Sequence, residues 1–207
     1  MVIRHQPHPR DRPSKKDVVT EFRRSEILGA ARRVFARRGF GEATVDDIAH
    51  EAGIAKGTIY RYYRSKADVY IEAARESLRA LHDQMVTNVR AASTPFDKVR
   101  AFIETKTRYF ERNVDFFRVY YAELNDLAAH CGVNEESQRL YLEQIELLRS
   151  ELQRAFPDRS DLDRVAMAIS ALTYGVITRR LRGWSSSSLE TDIDHIVGFA
   201  WHGVAGR

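Results

Sequence analysis

Apolar residues recur along this chain at three- and four-residue steps, and no stretch alternates as a half-buried strand would. From Asp17 to Arg38 the pattern predicts an amphipathic helix with Ile27, Ala30, Ala31, Val34 and Phe35 on one side, stopped by Gly39-Phe40-Gly41. A short stripe of Val45, Ile48, Ala49 and Ala52 follows and ends at Gly53; a second short helix carries Ile59 and Tyr62 inward. Ser65 opens a long helix to about Val89, with Val69, Ile71, Ala74, Leu78, Leu81 and Met85 as its apolar residues. Thr94-Pro95, a cap followed by proline at the first helical position, precedes Val99, Phe102, Ile103 and Phe110. After a break near Asn113 come Phe116, Phe117, Tyr120, Tyr121, Leu124 and Leu127, and Gly132 and Asn134 then punctuate the chain. Leu140, Tyr141, Ile145, Leu148 and Leu152 form the next stripe, and two last helices span about Ser160 to Arg182 and Leu189 to Ala205. The sum is an all-α protein of about nine helices.

The stretch from Thr44 to Lys66 carries the most chemistry. Thr44 caps the first short helix with Asp47 at the third position, a capping-box arrangement, and Gly53 stops it by taking a left-handed conformation. With Ile54, Ile59 and Tyr62 turned inward, the second helix presents Ala55, Lys56, Thr58 and Arg61, and in part Tyr60 and Tyr62, to the outside. Lys56, Arg61 and Lys66 reach phosphates or guanine edges, Thr58 and the tyrosines donate to phosphate, and Gly57 admits a close backbone. Two short helices with such an outer face make a helix-turn-helix over 44–63, the arrangement that enters a DNA major groove.

Several spaced pieces turn this reading into a resemblance. They are Ile27-Leu28-x-Ala30-Ala31, Phe35, Gly39-Phe40, Thr44-Val45-x-Asp47-Ile48-Ala49, Ala52-Gly53-Ile54, Lys56-Gly57-Thr58-Ile59-Tyr60, Tyr62-Tyr63 and Ser65-Lys66. Arg24 to Tyr70 thereby resembles the N-terminal DNA-binding domain of the TetR family of bacterial transcriptional regulators. The resemblance places DNA contacts on Thr44, Lys56, Gly57, Thr58, Tyr60, Arg61, Tyr62 and Lys66. It departs at Ala55, where many members carry serine: a hydroxyl contact is lost there and an apolar touch to a thymine methyl becomes available.

Charge supports a docking face at one end. The chain has 207 residues, 33 basic and 29 acidic, and residues 1–66 hold 15 of the basic and 8 of the acidic ones. The N-terminal third is therefore net positive and the rest mildly negative, a segregation suited to non-specific attraction to double-stranded DNA. Residues 1–16, with three prolines and five basic residues, read as a disordered basic arm. The longest apolar run, Ile196 to Trp201, is far too short to span a membrane, no apolar stretch follows the basic start, and the single Cys131 builds no disulfide; a cytoplasmic location is expected. None of the seven histidines falls in a metal-ligand spacing, and no phosphate-cradling glycine loop, nucleophile elbow or carboxylate pair stands out. No catalytic residue, metal or cofactor is expected.

The chain thus divides into an arm over 1–16, a DNA-binding domain over 17–66 and a ligand-binding and dimerisation domain over 67–207. The last two helices carry the stripes Val165, Ile169, Leu172 and Val176, and Ile193, Ile196, Val197, Ala200, Trp201 and Val204. Either these fill the monomer's core or, as the resemblance implies, they close a homodimer as a four-helix bundle; a dimer also doubles the DNA site that one short helix reads. The middle helices are rich in tyrosine, whose buried hydroxyls need partners, so a cavity with apolar walls and polar tips is one solution and a plain core the other. TetR-type regulators bind a small-molecule effector in this region. Phe110, Phe117, Tyr120, Tyr121, Leu124, Tyr141, Ile145, Met167 and Tyr174 form the candidate wall; Glu123 and Glu143 are either solvated surface groups, the favoured reading, or tips that select a cation. The reading is a dimeric repressor released from a palindromic operator by a lipophilic or aromatic effector. An enzyme is one alternative; a constitutive repressor or architectural DNA binder without effector is another.

Overall fold

Ser14 starts the first helix by a reciprocal pair of bonds: its hydroxyl accepts from the Asp17 amide at 3.2 Å, and the Asp17 carboxylate accepts from the Ser14 amide at 3.0 Å. The computed structural model describes residues 14–123 and 133–205. Within them nine helices follow one another and no strand forms: α1 (Lys15–Glu42), α2 (Val45–Ala52), α3 (Lys56–Tyr60), α4 (Lys66–Ala91), α5 (Pro95–Arg112), α6 (Val114–Glu123), α7 (Val133–Ala155), α8 (Leu162–Leu181) and α9 (Leu189–Ala205). The helix begins two residues before the expected Asp17, and residues 1–13 of the expected arm lie outside the described residues.

Local signals end the helices where the pattern places them. Gly39, at φ 73° and ψ 174°, breaks α1 in a conformation that only glycine takes cheaply. Thr44 caps α2 through the Asp47 amide, and Gly53 ends it at φ 65°. Ser65 caps α4, Thr94 caps α5 with Pro95 behind it, and α5 gives way to α6 at Asn113. Asn134 does not punctuate: it lies inside α7, where the acidic first turn of Glu135 and Glu136 favours the helix N-terminus.

The head is α1 to α3 closed on the start of α4. Ile27, Ala31, Val34 and Phe35 from α1, Ile48 from α2, Ile59 from α3 and Val69 from α4 are sealed together in its core. Tyr63, which follows α3, is the buried ring, whereas Tyr62, the expected anchor, is only partly covered. α4 is 26 residues long, or about 39 Å, and runs from the head into the body, where it packs on α5 and α7. α5 is the centre of the body, touching α4, α7, α8 and α9. Arg180 of α8 ties three helices at their ends, donating to Glu111 of α5 at 2.7 and 2.9 Å and to Asp192 of α9 at 2.8 Å.

Head and body meet at Tyr70. Its ring lies edge-on to Phe35 of α1 at 4.7 Å and stacked on Phe116 of α6 at 5.0 Å, and its hydroxyl donates to the Phe116 carbonyl at 3.0 Å. Two buried tyrosines thus differ in one respect. The Tyr70 hydroxyl is satisfied; the Tyr63 hydroxyl is enclosed with no hydrogen-bond partner among the described residues, and burial pushes its pKa up to about 12. Removing each hydroxyl should move stability in opposite directions. Tyr70→Phe is expected to lower the unfolding free energy by about 1 kcal/mol, and Tyr63→Phe to leave it unchanged or raise it by up to about 1 kcal/mol. Urea unfolding of the two variants checks this, and equal destabilisation would contradict it.

Candidate nucleic-acid interface

α3 is held from behind by Ile59 and leaves its other side uncovered. Ala55, Lys56, Gly57, Tyr60 and Arg61 are exposed, Tyr60 at 50%, and Thr58 and Tyr62 are partly so. Ala55 is the N-cap residue of α3 and, lacking a hydroxyl, gives the helix no side-chain cap. A Cβ at Gly57 would meet nothing within 4 Å, so nothing inside the chain requires glycine at that point; only a surface approaching from outside would.

Electrostatics sort the basic side chains into held and free. Lys56 donates to Asp46 of α2 at 2.6 Å, and this bond raises its pKa. On α1, Arg33 and Arg37 are engaged by Glu51, and Arg38 by Asp47. Arg61 lies over the Tyr62 ring at 5.9 Å. Arg61 and Arg64 have no carboxylate partner among the described residues, and both are exposed beside α3. Arg64 is a candidate the sequence reading passed over, because its place in the turn between α3 and α4 gives no periodic signal. Thr44 serves the fold first: its hydroxyl donates to the Asp47 carboxylate at 2.7 Å and accepts from the Asp47 amide at 3.1 Å, which holds that carboxyl below its usual range.

Lys66 corrects the sequence reading. Its ammonium donates to the backbone carbonyls of Phe40, Gly41 and Ala43 at 2.6, 3.0 and 2.8 Å and lies 4.5 Å from the Phe40 ring centre. All three ammonium hydrogens are thereby directed into the end of α1, where the break at Gly39 exposes carbonyls that no helix bond satisfies. Lys66 is a clasp between α1 and α4 and has no donor left for a phosphate.

In the body the structure separates the two expected sets. Of the dimer residues, Ile169, Ile193, Ile196, Val197, Ala200 and Val204 are buried in the monomer's own core; Val165 and Val176 are partly covered, and Trp201 packs edge-on to Phe96 at 5.3 Å. Only Leu172 of that set is exposed. The open side of α8 and α9 carries Ala168, Ala171, Leu172, Gly175 and Phe199 instead. The effector set is not gathered around one cavity either. The Phe110 and Phe117 rings meet at a tilt, 4.4 Å apart, in the core where Ile145 is also buried, whereas Met167 and Tyr174 are exposed on α8. The side chains of Tyr120, Tyr121 and Glu123 and all of Leu124 lie outside the described residues. A crevice beside Phe110 admits no water, and a hollow of about 730 Å³ between α4 and α7 is an open groove lined by His82, Val86, Leu142 and Glu143.

A model of the bacterial regulatory proteins of the tetR family matches residues 27–73, which run from the apolar half of α1 into α4. The BetI regulator of Rhizobium meliloti is 28% identical over 177 residues, covering 83% of this chain and 84% of BetI. Residues 27–73 are a TetR-family DNA-binding domain. The chain is a DNA-binding transcriptional regulator. TtgR of Pseudomonas putida is 26% identical over 187 residues, 84% of this chain and 87% of TtgR. Among solved structures, the fatty acid degradation regulator FadR of Bacillus halodurans superposes with a TM-score of 0.71 at 22% identity, covering 95% of this chain and all of that one. FadR of Bacillus subtilis, crystallised with stearoyl-CoA, gives 0.69 at 19% identity over 85% and 96% of the two chains. These two likenesses establish the fold alone. Among the described residues of this regulator no helix is long and apolar enough to cross a membrane.

The clasp makes Lys66 separable from its neighbour Lys56 by experiment. Lys66→Met keeps the stem and strands three carbonyls, so it should lower the unfolding free energy by about 1–3 kcal/mol. Lys56→Met, whose partner is an exposed carboxylate, should leave the urea midpoint where it is. The reverse order would show Lys66 to be free in solution.

Proposed function

We propose that this regulator binds a palindromic operator as a homodimer, placing α3 of each copy in successive major grooves, and that it represses until a small lipophilic or aromatic effector occupies the body over 67–207. The observation that carries the DNA half is the outer face of α3: Lys56, Gly57, Tyr60 and Arg61 are exposed, and none of them is buried in the core of the described residues. Lys56, Arg61 and Arg64 supply phosphate or guanine contacts, Tyr60 and Tyr62 phosphate contacts, Thr58 and Gly57 the close approach, and Ala55 an apolar touch. Thr44 adds its backbone end of α2 beside them.

The dimer is supported by the side of α8 and α9 that the monomer leaves open. Leu172 and Phe199 are 39% and 70% exposed, and a Cβ on Gly175 or Gly198 would meet nothing within 4 Å, so a second helix pair has room to approach closely. Two α3 helices must stand about 34–36 Å apart to share one face of DNA. α4 joins each head to the body, so a tilt of α4 changes that spacing and couples effector to operator. The stearoyl-CoA carried by the Bacillus subtilis FadR, a neighbour in fold, supports a body that opens around apolar ligands. The open groove between α4 and α7 and the closed crevice beside Phe110 favour the second reading, a repressor without effector.

Selection of binding sites from random duplexes, with and without a panel of lipophilic compounds, tests both halves. The expected product is a two-fold sequence whose half-sites lie about one helical turn apart. Lys56→Ala and Tyr60→Ala should each weaken the selected site about tenfold, and Lys56→Ala should flatten the salt dependence by about one unit of slope per half-site. Unchanged affinity in both variants would remove α3 as the reading helix. Sedimentation should give a dimer at micromolar concentration and a monomer for Leu172→Glu/Phe199→Glu; a monomeric native protein would remove the dimer.

A further inference from the structure

Among the described residues, one charged group in the body is enclosed without a counter-ion. Lys106 of α5 is 5% exposed, and its ammonium has a single polar contact, the Ser170 hydroxyl of α8 at 3.3 Å. The rest of its surroundings are aromatic faces, Phe102 at 5.8 Å and Tyr141 of α7 at 5.1 Å. No carboxylate among the described residues lies within ion-pair distance of it. The other well-covered cations of the body are answered: Lys98 by Glu151 at 3.0 Å, Arg180 by Glu111 and Asp192. An enclosed ammonium with one long hydrogen bond leaves two donors unused, a costly arrangement unless something outside the chain completes it. Burial pulls its pKa down to about 8, which still leaves roughly nine in ten molecules protonated at neutral pH.

Partly exposed apolar side chains neighbour this ammonium and its Ser170 partner. Tyr141 covers it and is itself 36% exposed. On α8, Met167 and Tyr174 stand one turn to either side of Ser170, at i−3 and i+4, and are 55% and 45% exposed. Leu172 and Val176 lie on the other edge of α8, whereas Ala171 of the face assigned to the dimer adjoins Met167 and Tyr174 at i+4 and i−3. We propose that Lys106 and Ser170 bind the carboxylate of an effector whose apolar body lies against Tyr141, Met167 and Tyr174. One positive charge and one hydroxyl match a monoanion; a phosphate dianion would bring a second negative charge into the same apolar surroundings uncompensated. The proposal rests on the reading of the body as an effector site and narrows that effector to apolar monocarboxylic acids.

The test uses the full-length protein and straight-chain monocarboxylates from hexanoate to hexadecanoate, each beside the primary alcohol of the same length. Dissociation constants come from calorimetry, and release of the selected operator from fluorescence anisotropy. At least one acid should bind about tenfold or more tightly than its alcohol, the range expected of a charge-assisted hydrogen bond. K106M should bind acid and alcohol alike, and K106R should restore the preference. K106M removes an uncompensated ion for an apolar side chain of similar length, so it should melt at or above the native temperature. Acid and alcohol within about threefold of each other at every length, a preference that survives in K106M, or a K106M that melts earlier would each overturn the assignment. The two readings fail differently. Lys106-dependent acid binding that leaves operator affinity unchanged keeps the carboxylate site and removes effector control. Operator release by acids and alcohols alike keeps effector control and removes the carboxylate site.

Discussion

Lys66 and Tyr70 stand one helical turn apart on α4, and everything the DNA-reading end can do passes through them. Lys66 gathers three carbonyls from the broken end of α1, and its ammonium rests on the Phe40 ring. That ring meets Tyr70 at 5.7 Å, and Tyr70 in turn stacks on Phe116 and bonds to its carbonyl. A charge–dipole clasp and an aromatic stack therefore lie in series from the loop before α2 to the first turn of α6. The head cannot pivot about α4 without breaking the three hydrogen bonds of Lys66 to the end of α1, so a motion of α4 is passed on to α2 and α3 rather than absorbed. This makes α4, about 39 Å of uninterrupted helix, a lever with a fixed head instead of a flexible tether.

The same accounting singles out two groups of the interior, beside the buried Nδ1 of His82, which also lacks a hydrogen-bond partner among the described residues. Buried hydroxyls in the body answer to their own helices: Thr107 donates to Ile103 and Thr173 to Ile169. Tyr63 and Lys106 do not fit that rule. For Tyr63 the deficit is a single neutral hydroxyl inside the head, and Arg24 above its ring at 5.5 Å supplies only a face contact. For Lys106 the deficit is a charge, which costs several times more to enclose. Size separates the two cases: a lost hydroxyl bond is tolerable in a marginally stable fold, whereas an unanswered ion calls for an external partner.

Most of the fold was legible because local signals agreed with one another. Thr44, Ser65 and Thr94 as caps, Gly39 and Gly53 as stops, and Pro95 behind its cap each appear in the role their chemistry assigns. The exposure of Lys56, Tyr60 and Arg61 was equally legible, since Ile59 fixes which side of a five-residue helix must turn inward. Lys66 was not, because what engages it lies 23 to 26 residues earlier in the chain and consists of backbone, which carries no sequence label. Lys106 had a signal that went unused. It sits four residues after Phe102 and four before Phe110, on the apolar stripe of α5, and a charged residue in that register is enclosed or else disrupts the stripe. Attention to Glu123 and Glu143 sought an anion to select a cation; the enclosed ion has the opposite sign.

The dimer stripes show where periodicity stops being informative. A helix at the edge of a bundle has one apolar side for its own core, and the cleanest stripe belongs to that side because burial there is complete. α9 illustrates it: Ile193, Ile196, Val197, Ala200 and Val204 are all sealed inside the monomer. A surface reserved for a second copy must remain compatible with water before assembly, so it is built from small residues and a few large ones, a pattern with weak amplitude. Ala168, Ala171 and Gly175 with Leu172 and Phe199 have that character. The strongest stripe therefore identifies what the monomer hides, and the face open to a partner is found by subtracting it, which needs the packing of α5 against α8 and α9 rather than the sequence of either.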